Sequence, residues 1–281
     1  MTTPRVPAPP LGDDRALRVL TCNIYNTSAD WERRRPVLIN AMRQHAPDLV
    51  ALQETVLIPG YDQARDVLDD GYHVVNSQAR LPGSWGASLA SRWPVRNVHE
   101  LDQAVSPRAE PWCTTLIAEI DVPAPIGPLL FVNHFQSAHV AQEFEREQQA
   151  LLAAQAIERM VAEQDHHVIL AGDLNAGPEA ASVRFLMGRQ SLAGTSVCYL
   201  NAWDRLHPGK PGHTFTARSP LVAAEHRDWP SQRLDHILLR FGEGGGPSLD
   251  ITGCEVVFDQ PVNGVWPSDH FGLVADFAAP R

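Results

Sequence analysis

Six short segments of this chain set an acid, an amide or an imidazole at the end of an apolar run. They are Thr21-Cys22-Asn23, Gln53-Glu54, Asn133-His134, Gly172-Asp173-Leu174-Asn175, Arg233-Leu234-Asp235-His236 and Ser268-Asp269-His270. Such runs read as β-strands, and strand ends can hold polar groups in fixed geometry. The six segments are therefore expected to build one polar pocket from distant parts of the chain. Glu54 closes Leu49-Val50-Ala51-Leu52, where a carboxylate is costly unless it is paired or binds a metal. Mg²⁺ takes a few carboxylate oxygens, keeps several waters and leaves room for a phosphate. A histidine inside an apolar strand is ordinarily a satisfied core residue, the plain reading of His134 and His236. His270 differs, because Asp235 on another strand could orient it and raise its basicity. Phosphate-ester hydrolysis needs a cation on the nonbridging oxygens, an activated in-line water and stabilisation of the leaving oxygen. This inventory can supply all three.

The elements that must position these groups follow from the pattern. Leu17–Ile24 is a first strand delivering Asn23. Residues 31–45 carry Trp31, Val37, Leu38, Ala41 and Met42 at near-helical spacing, with Pro36 tolerable early in the helix. Strands are expected at 49–52, 72–76, 87–91, 114–122, 129–135, 168–171, 234–240, 251–258 and 271–277, the pair around Pro123–Pro128 antiparallel. The longest helical pattern is 141–163, with Phe144, Leu151, Ala154, Ile157 and Val161 on one stripe, and a short helix at 179–187 ends at Gly188. Mixed strand directions with few long helices imply an α/β fold: a four-layered α/β sandwich, two mixed β-sheets packed face to face with helices outside. Residues 1–16 read as a flexible tail and 17–281 as a single domain.

With 281 residues, 44% hydrophobic and 20% charged, the chain can bury a substantial core. A net charge of −10 argues against a surface built to embrace long polyanions. Lys210 is the only lysine. The Pro-rich start lacks the apolar core of a signal peptide, and no run suits a membrane span, so a cytoplasmic location is expected. Cys22, Cys113, Cys198 and Cys254 have no metal-type spacing, and Cys22 and Cys113 read as small core residues.

Taken in order, Thr-Cys-Asn, Gln-Glu, Asn-His, Gly-Asp-Leu-Asn, Arg-Leu-Asp-His and Ser-Asp-His resemble the endonuclease/exonuclease/phosphatase superfamily, which includes deoxyribonuclease I-like and neutral sphingomyelinase-like phosphoesterases. Gly86–Val95 and Gly212-His213-Thr214-Phe215 are similar to further segments of that family, so the resemblance runs from about Leu17 to Phe277. It implies Glu54 as principal Mg²⁺ ligand (Mn²⁺ a possible substitute), with Asp269 and Asn23 as further ligands or water-mediated support. Asp173 would position or deprotonate the attacking water. Asn175, with Asn23, would hold the phosphate. His270 paired with Asp235 would act as base or stabilise the transition state, and His134 would bond a phosphate oxygen or assist the leaving group. The chain departs from the pattern at three places: Tyr25 stands where some members carry an acid, Gly83–Ser91 offers His134 no acidic partner, and Arg-Leu-Asp-His replaces Arg-x-Asp-Tyr.

The expected activity is Mg²⁺-dependent hydrolysis of a phosphodiester of a small or lipid-derived molecule. The alternative is a DNA or RNA nuclease, for which Arg218, Arg227 and Arg233 would form a phosphate-binding patch. A non-catalytic binding module on this fold is the remote third reading. Specificity is expected in the loops at 58–86, 97–112, 191–213 and 219–232, where Trp85, Trp112, Trp203 and Trp229, with Trp266 further on, could floor a pocket or simply pack.

Overall fold

The computed structural model describes residues 16–81 and 85–280; the expected tail, apart from Ala16, lies outside them. Among the described residues the strands are β1 (Leu17–Asn23), β2 (Leu49–Ile58), β3 (Tyr61–Asp62), β4 (His73–Arg80), β5 (Trp85–Ser91), β6 (Val95–Asp102), β7 (Thr114–Ile120), β8 (Leu129–Phe135), β9 (His167–Asp173), β10 (Tyr199–Asn201), β11 (Asp235–Arg240), β12 (Asp250–Val257) and β13 (Gly272–Ala278). One sheet has the order β12-β13-β1-β2-β5-β4, with β3 paired to β2, and the other β10-β11-β9-β8-β7-β6. Each holds one parallel pair, β1 with β2 and β8 with β9, among antiparallel neighbours. The two long helices, α1 (Trp31–His45) and α3 (Glu143–Glu163), are the crossovers of those pairs, as a parallel pair requires. Short helices α2 (Gln63–Val67), α4 (Ala181–Leu186), α5 (Ala202–Leu206) and α6 (Pro220–Glu225) lie in the connections.

Alternate residues of the central strands enter different cores. Leu17, Val19, Leu49, Ala51, Phe131, Ile169, Ala171, Ile237, Leu239, Leu273 and Ala275 fill the space between the sheets. Leu130, Val132, Val168, Leu170 and Leu238 face the other way, onto Ala150, Ala154 and Ile157 of α3. Leu20, Cys22, Val50 and Leu52 likewise pack on Leu38 and Met42 of α1. With both faces buried these strands read as continuous apolar runs, and the layered sandwich follows.

Several expectations change, beginning with the loops expected at 58–86, 191–213 and 219–232, which contain β3, α2, β10, α5 and α6. Residues 95–102, partly assigned to a loop, form β6, an edge strand exposed at Arg96–His99, so no apolar run marks it. Phe144 is 60% exposed instead of lying on the buried stripe of α3. The inward side of that first turn is taken by Glu145, which accepts from Ser106, and by Arg146, which donates to the Ser137 carbonyl.

Candidate active site

Strand register places the catalytic candidates at one end of the sandwich. Asp235 stands directly opposite Asp173 in the β9–β11 pair, and Asn23 opposite Gln53 in the β1–β2 pair. By alternation Asn23, Asp173 and Asp235 all point between the sheets. Two acids opposed on neighbouring strands repel, and His270 resolves the conflict. Its Nδ1 is 2.9 Å from Asp235 Oδ2 and its Nε2 is 4.0 Å from Asp173 Oδ2. Burial opposes a charge on this imidazole, but Asp235 and Asp173 outweigh it and hold the pKa well above 6.5. Asp173 moves the other way from a usual carboxyl, pushed up to about 7 chiefly by burial. It accepts from the Asn23 amide at 3.1 Å and from the backbone of Asn175 at 2.9 Å.

Glu54 reaches the same place by a different device. Alternation from Leu52 would turn it outward toward α1. A register shift between Leu52 and Thr55 and a φ of 58° at Glu54 re-aim its side chain, a bulge at a site edge. One carboxylate oxygen accepts from Asn23 at 3.0 Å and the other from Asn26 at 2.8 Å. Asp269 is held by the backbone N–H of His270 at 2.9 Å, and the Ser268 hydroxyl donates to the Asn23 carbonyl at 2.7 Å, tying the C-terminal motif to the first strand. Burial and the Asp269 charge raise the Glu54 pKa; burial raises that of Asp269.

Gly172 is needed where it stands, because a Cβ there would lie 2.0 Å from the His134 carbonyl oxygen at a φ of +154°. Behind Asp235, the Thr214 hydroxyl accepts from the backbones of Leu234 and Asp235, and Phe215 packs on the His270 ring with centroids 4.8 Å apart. The Gly-His-Thr-Phe segment is thus the bracket of the Asp235–His270 pair.

These groups open into a cavity of about 460 Å³ whose lining includes Asn23, Asn26, Glu54, Asp173, Asn175, Asp269 and His270. A larger groove, about 590 Å³, runs between α1 and Val262–Val265, but its lining holds no acid or imidazole. Two expected members are placed differently. Asp235 lies beneath the cavity, fully buried, and acts on it through His270. His134 does not join. It points to the α3 side, its Nδ1 is 2.7 Å from Thr115 Oγ1, and burial alone pushes its pKa down to about 3.

Several residues escaped the sequence reading. Asn26, three residues after Asn23, completes the hold on Glu54. Arg34, only 2% exposed, donates to the carbonyls of Ile24, Tyr25, Asn26, Ser28 and Pro267. It thereby fixes a loop in which Tyr25, Asn26, Ala29 and Asp30 all have positive φ, a conformation that persists only when its surroundings over-determine it. Trp85, Trp112 and Trp229 form cavity walls. Trp203 instead packs on His207 and Trp266 on Phe271.

The donor set fits a hard divalent cation. Glu54 and Asp269 are half-buried acids; the Asp269 charge opposes ionisation of Glu54, and their hydrogen bonds come from amides, a hydroxyl and a backbone N–H, a situation an oxygen-seeking cation relieves. Ligand atoms of Asp173, Asp235 and His270 also lie within 4.8 Å of one another. In that trio His270 already offsets carboxylate charge, whereas Glu54 and Asp269 have no ion-pair partner among the described residues, so they are the better pair. The class defined is a metal-dependent phosphoesterase.

Comparison with known proteins gives the same class. A family model, the Endonuclease/Exonuclease/phosphatase family, matches residues 20–270. The chain belongs to that family. Among solved structures, a D. rerio TDP2 complexed with single strand DNA product is 21% identical, covering 95% of this chain and 100% of that one at a TM-score of 0.75. The human Nocturnin catalytic domain with bound sulfate anion is 18% identical over 96% and 97% of the two chains, TM-score 0.73. An endonuclease/exonuclease/phosphatase from Bacteroides vulgatus is 18% identical over 95% and 100%, TM-score 0.70. No curated protein matches the sequence significantly.

Proposed function

We propose that this protein hydrolyses a phosphodiester of a small or lipid-derived molecule with the help of Mg²⁺, by in-line attack of water. The observation that carries the reading is the His270 imidazole held between Asp235 and Asp173 at the floor of a cavity whose rim carries Glu54 and Asp269. Glu54 and Asp269, with Asn23 beside them, would hold the cation, which supplies Lewis-acid stabilisation of the phosphate charge when bound. Asp173, pushed up to about 7, is matched to taking a proton from water near neutral pH. His270 keeps its proton, and since Nδ1 is engaged by Asp235, Nε2 is free to donate to a phosphate oxygen. Asn175 uses one amide hydrogen on the Gln136 carbonyl and has the other for the phosphate. His134, on the far face of the sheet, has no part in this scheme. Among the described residues no helix is long and apolar enough to cross a membrane. Four unpaired cysteines suit a reducing, cytoplasmic compartment.

The test is hydrolysis of bis(p-nitrophenyl) phosphate and p-nitrophenyl phosphate with EDTA, Mg²⁺ or Mn²⁺, comparing wild type with Asp173→Asn. Metal-dependent diester cleavage lost in the variant is the expected result; monoester cleavage alone would refute the diester reading. The likeness to a structure complexed with a DNA product supports a second reading, nucleic-acid cleavage. The expected arginine patch does not support it: Arg233 is 2% exposed and donates to Asp204 and the Pro211 carbonyl. Salt-sensitive cleavage of a labelled single-stranded oligonucleotide would establish the second reading.

A further inference from the structure

The walls above the catalytic floor have an unusual charge for a phosphate site. Among the described residues no arginine or lysine lines the cavity; Glu110 and Glu225 do, with His139, His226, Tyr25, Trp85, Trp112 and Trp229. Arg34, nearby, is spent on backbone carbonyls. A strand carrying a phosphate on every residue would lay its neighbouring charges against carboxylates here, where single-stranded nucleic-acid grooves place cations. Such walls suit a singly charged phosphodiester better than a polyanion.

They also offer a site for a positive charge. Trp85 and Trp112 have centroids 4.8 Å apart with planes inclined at 50°, so the two rings are tilted apart and not closed face to face. Phe135 backs Trp85 at 6.4 Å. Glu110, two residues before Trp112, is oriented by the backbone N–H groups of Ala138 and His139 at 3.3 and 3.4 Å. Aromatic faces beside a fixed carboxylate are the surroundings that attract an organic ammonium group. Such a substrate is a zwitterion, so a protein of net charge −10 does not repel it.

We propose, resting on the phosphodiesterase reading above, that the diester cleaved here bears an ammonium group on one of its alcohols, seated against Trp85, Trp112 and Glu110. The test compares kcat/KM for p-nitrophenyl phosphorylcholine with that for p-nitrophenyl 3,3-dimethylbutyl phosphate, the same shape with carbon in place of the charged nitrogen. A preference of at least tenfold for the charged ester is expected, collapsing toward unity in Glu110→Gln, which keeps an acceptor oxygen for Ala138 and His139. A wild-type ratio within twofold, alongside metal-dependent cleavage of bis(p-nitrophenyl) phosphate, would overturn the ammonium subsite and leave the phosphodiesterase reading standing. Loss of bis(p-nitrophenyl) phosphate cleavage as well would remove that reading too. Tetramethylammonium titrated against tryptophan fluorescence gives a readout without turnover: a saturable change in wild type, lost in Trp112→Leu of unchanged melting temperature, supports the subsite, and no change in wild type refutes it.

Discussion

Asp235 and His236 are consecutive residues of one strand, and they live in opposite surroundings. Asp235 faces the gap between the sheets, where it and Asp173 hold the His270 pKa well above 6.5. His236 faces α3, fully buried, with Nε2 donating to the Ala176 carbonyl and Nδ1 accepting from Asn201. Burial pushes its pKa to about 4. On β8, two strands away in the same sheet, Asn133 and His134 divide the same way: Asn133 donates inward to the Leu52 and Ser88 carbonyls, and His134 turns outward to Thr115. Both faces carry buried histidines, but only the inner one surrounds its histidine with carboxylates. The proposed scheme places the chemistry on that face because charge there is compensated, whereas on the outer face a charged imidazole would have no partner.

The sharpest way to break this comparison is to exchange catalytic loss between the two faces. His270→Ala should lower kcat by at least ~10²-fold, the usual worth of a proton-handling group, and Asp173→Asn by ~10²–10⁴-fold. His134→Gln and His236→Asn should each stay within about tenfold of wild type once folding is matched by circular dichroism. If His134→Gln lost as much as His270→Ala, the division of labour between faces would fall.

A smaller effect sharpens the inner face. Burial raises the folded-state pKa values of Glu54 and Asp269, so without metal their ionisation costs stability as pH rises through those values. Cation binding removes that cost. The gain in melting temperature on adding Mg²⁺ should therefore grow between pH 5 and pH 7.5 and be largely abolished in Glu54→Gln. A gain independent of pH, or one retained in the variant, would place the cation elsewhere.

The smallest effect belongs to the outer face. His134 and His236 have folded pKa values lowered to about 3 and about 4, against an unfolded value near 6.5. Between pH 6.5 and about 4 the unfolded chain binds protons that these imidazoles refuse in the fold, so stability falls as pH falls. Each contributes up to about 1.4 kcal/mol per pH unit in that window. Urea denaturation at pH 7 and pH 5 should show the acid loss reduced by about one proton's worth in His236→Asn. An identical slope would mean the buried imidazole titrates normally.

The division between faces also explains what could be read without coordinates. The strand-end motifs, their order and the family they resemble were legible, because family-specific pairs such as Asp173–Asn175 and Asp269–His270 are local in the chain. The central strands were legible for the same reason, as unbroken apolar runs such as Leu49–Leu52 and Val168–Ala171. Edge strand β6 was not, since exposed residues carry no run to detect. Nor was the fate of Phe144, which depended on Glu145 and Arg146 finding partners at Ser106 and Ser137 outside the helix.

The sequence by itself determined that Asp235 and His236 point in opposite directions, since a strand alternates with period two. Alternation alone could not say which of them points inward, because both faces of these strands are covered and both carry apolar neighbours; only the motif resemblance favoured Asp235. That choice was made by the packing of the two sheets against each other and against α1 and α3. The bulge that turns Glu54 into the site, the five carbonyls gathered by Arg34 and the Trp85–Trp112 wall belong to the tertiary structure as well. Each joins residues whose proximity no local pattern encodes, and each exists because burial leaves polar groups no alternative to finding one another.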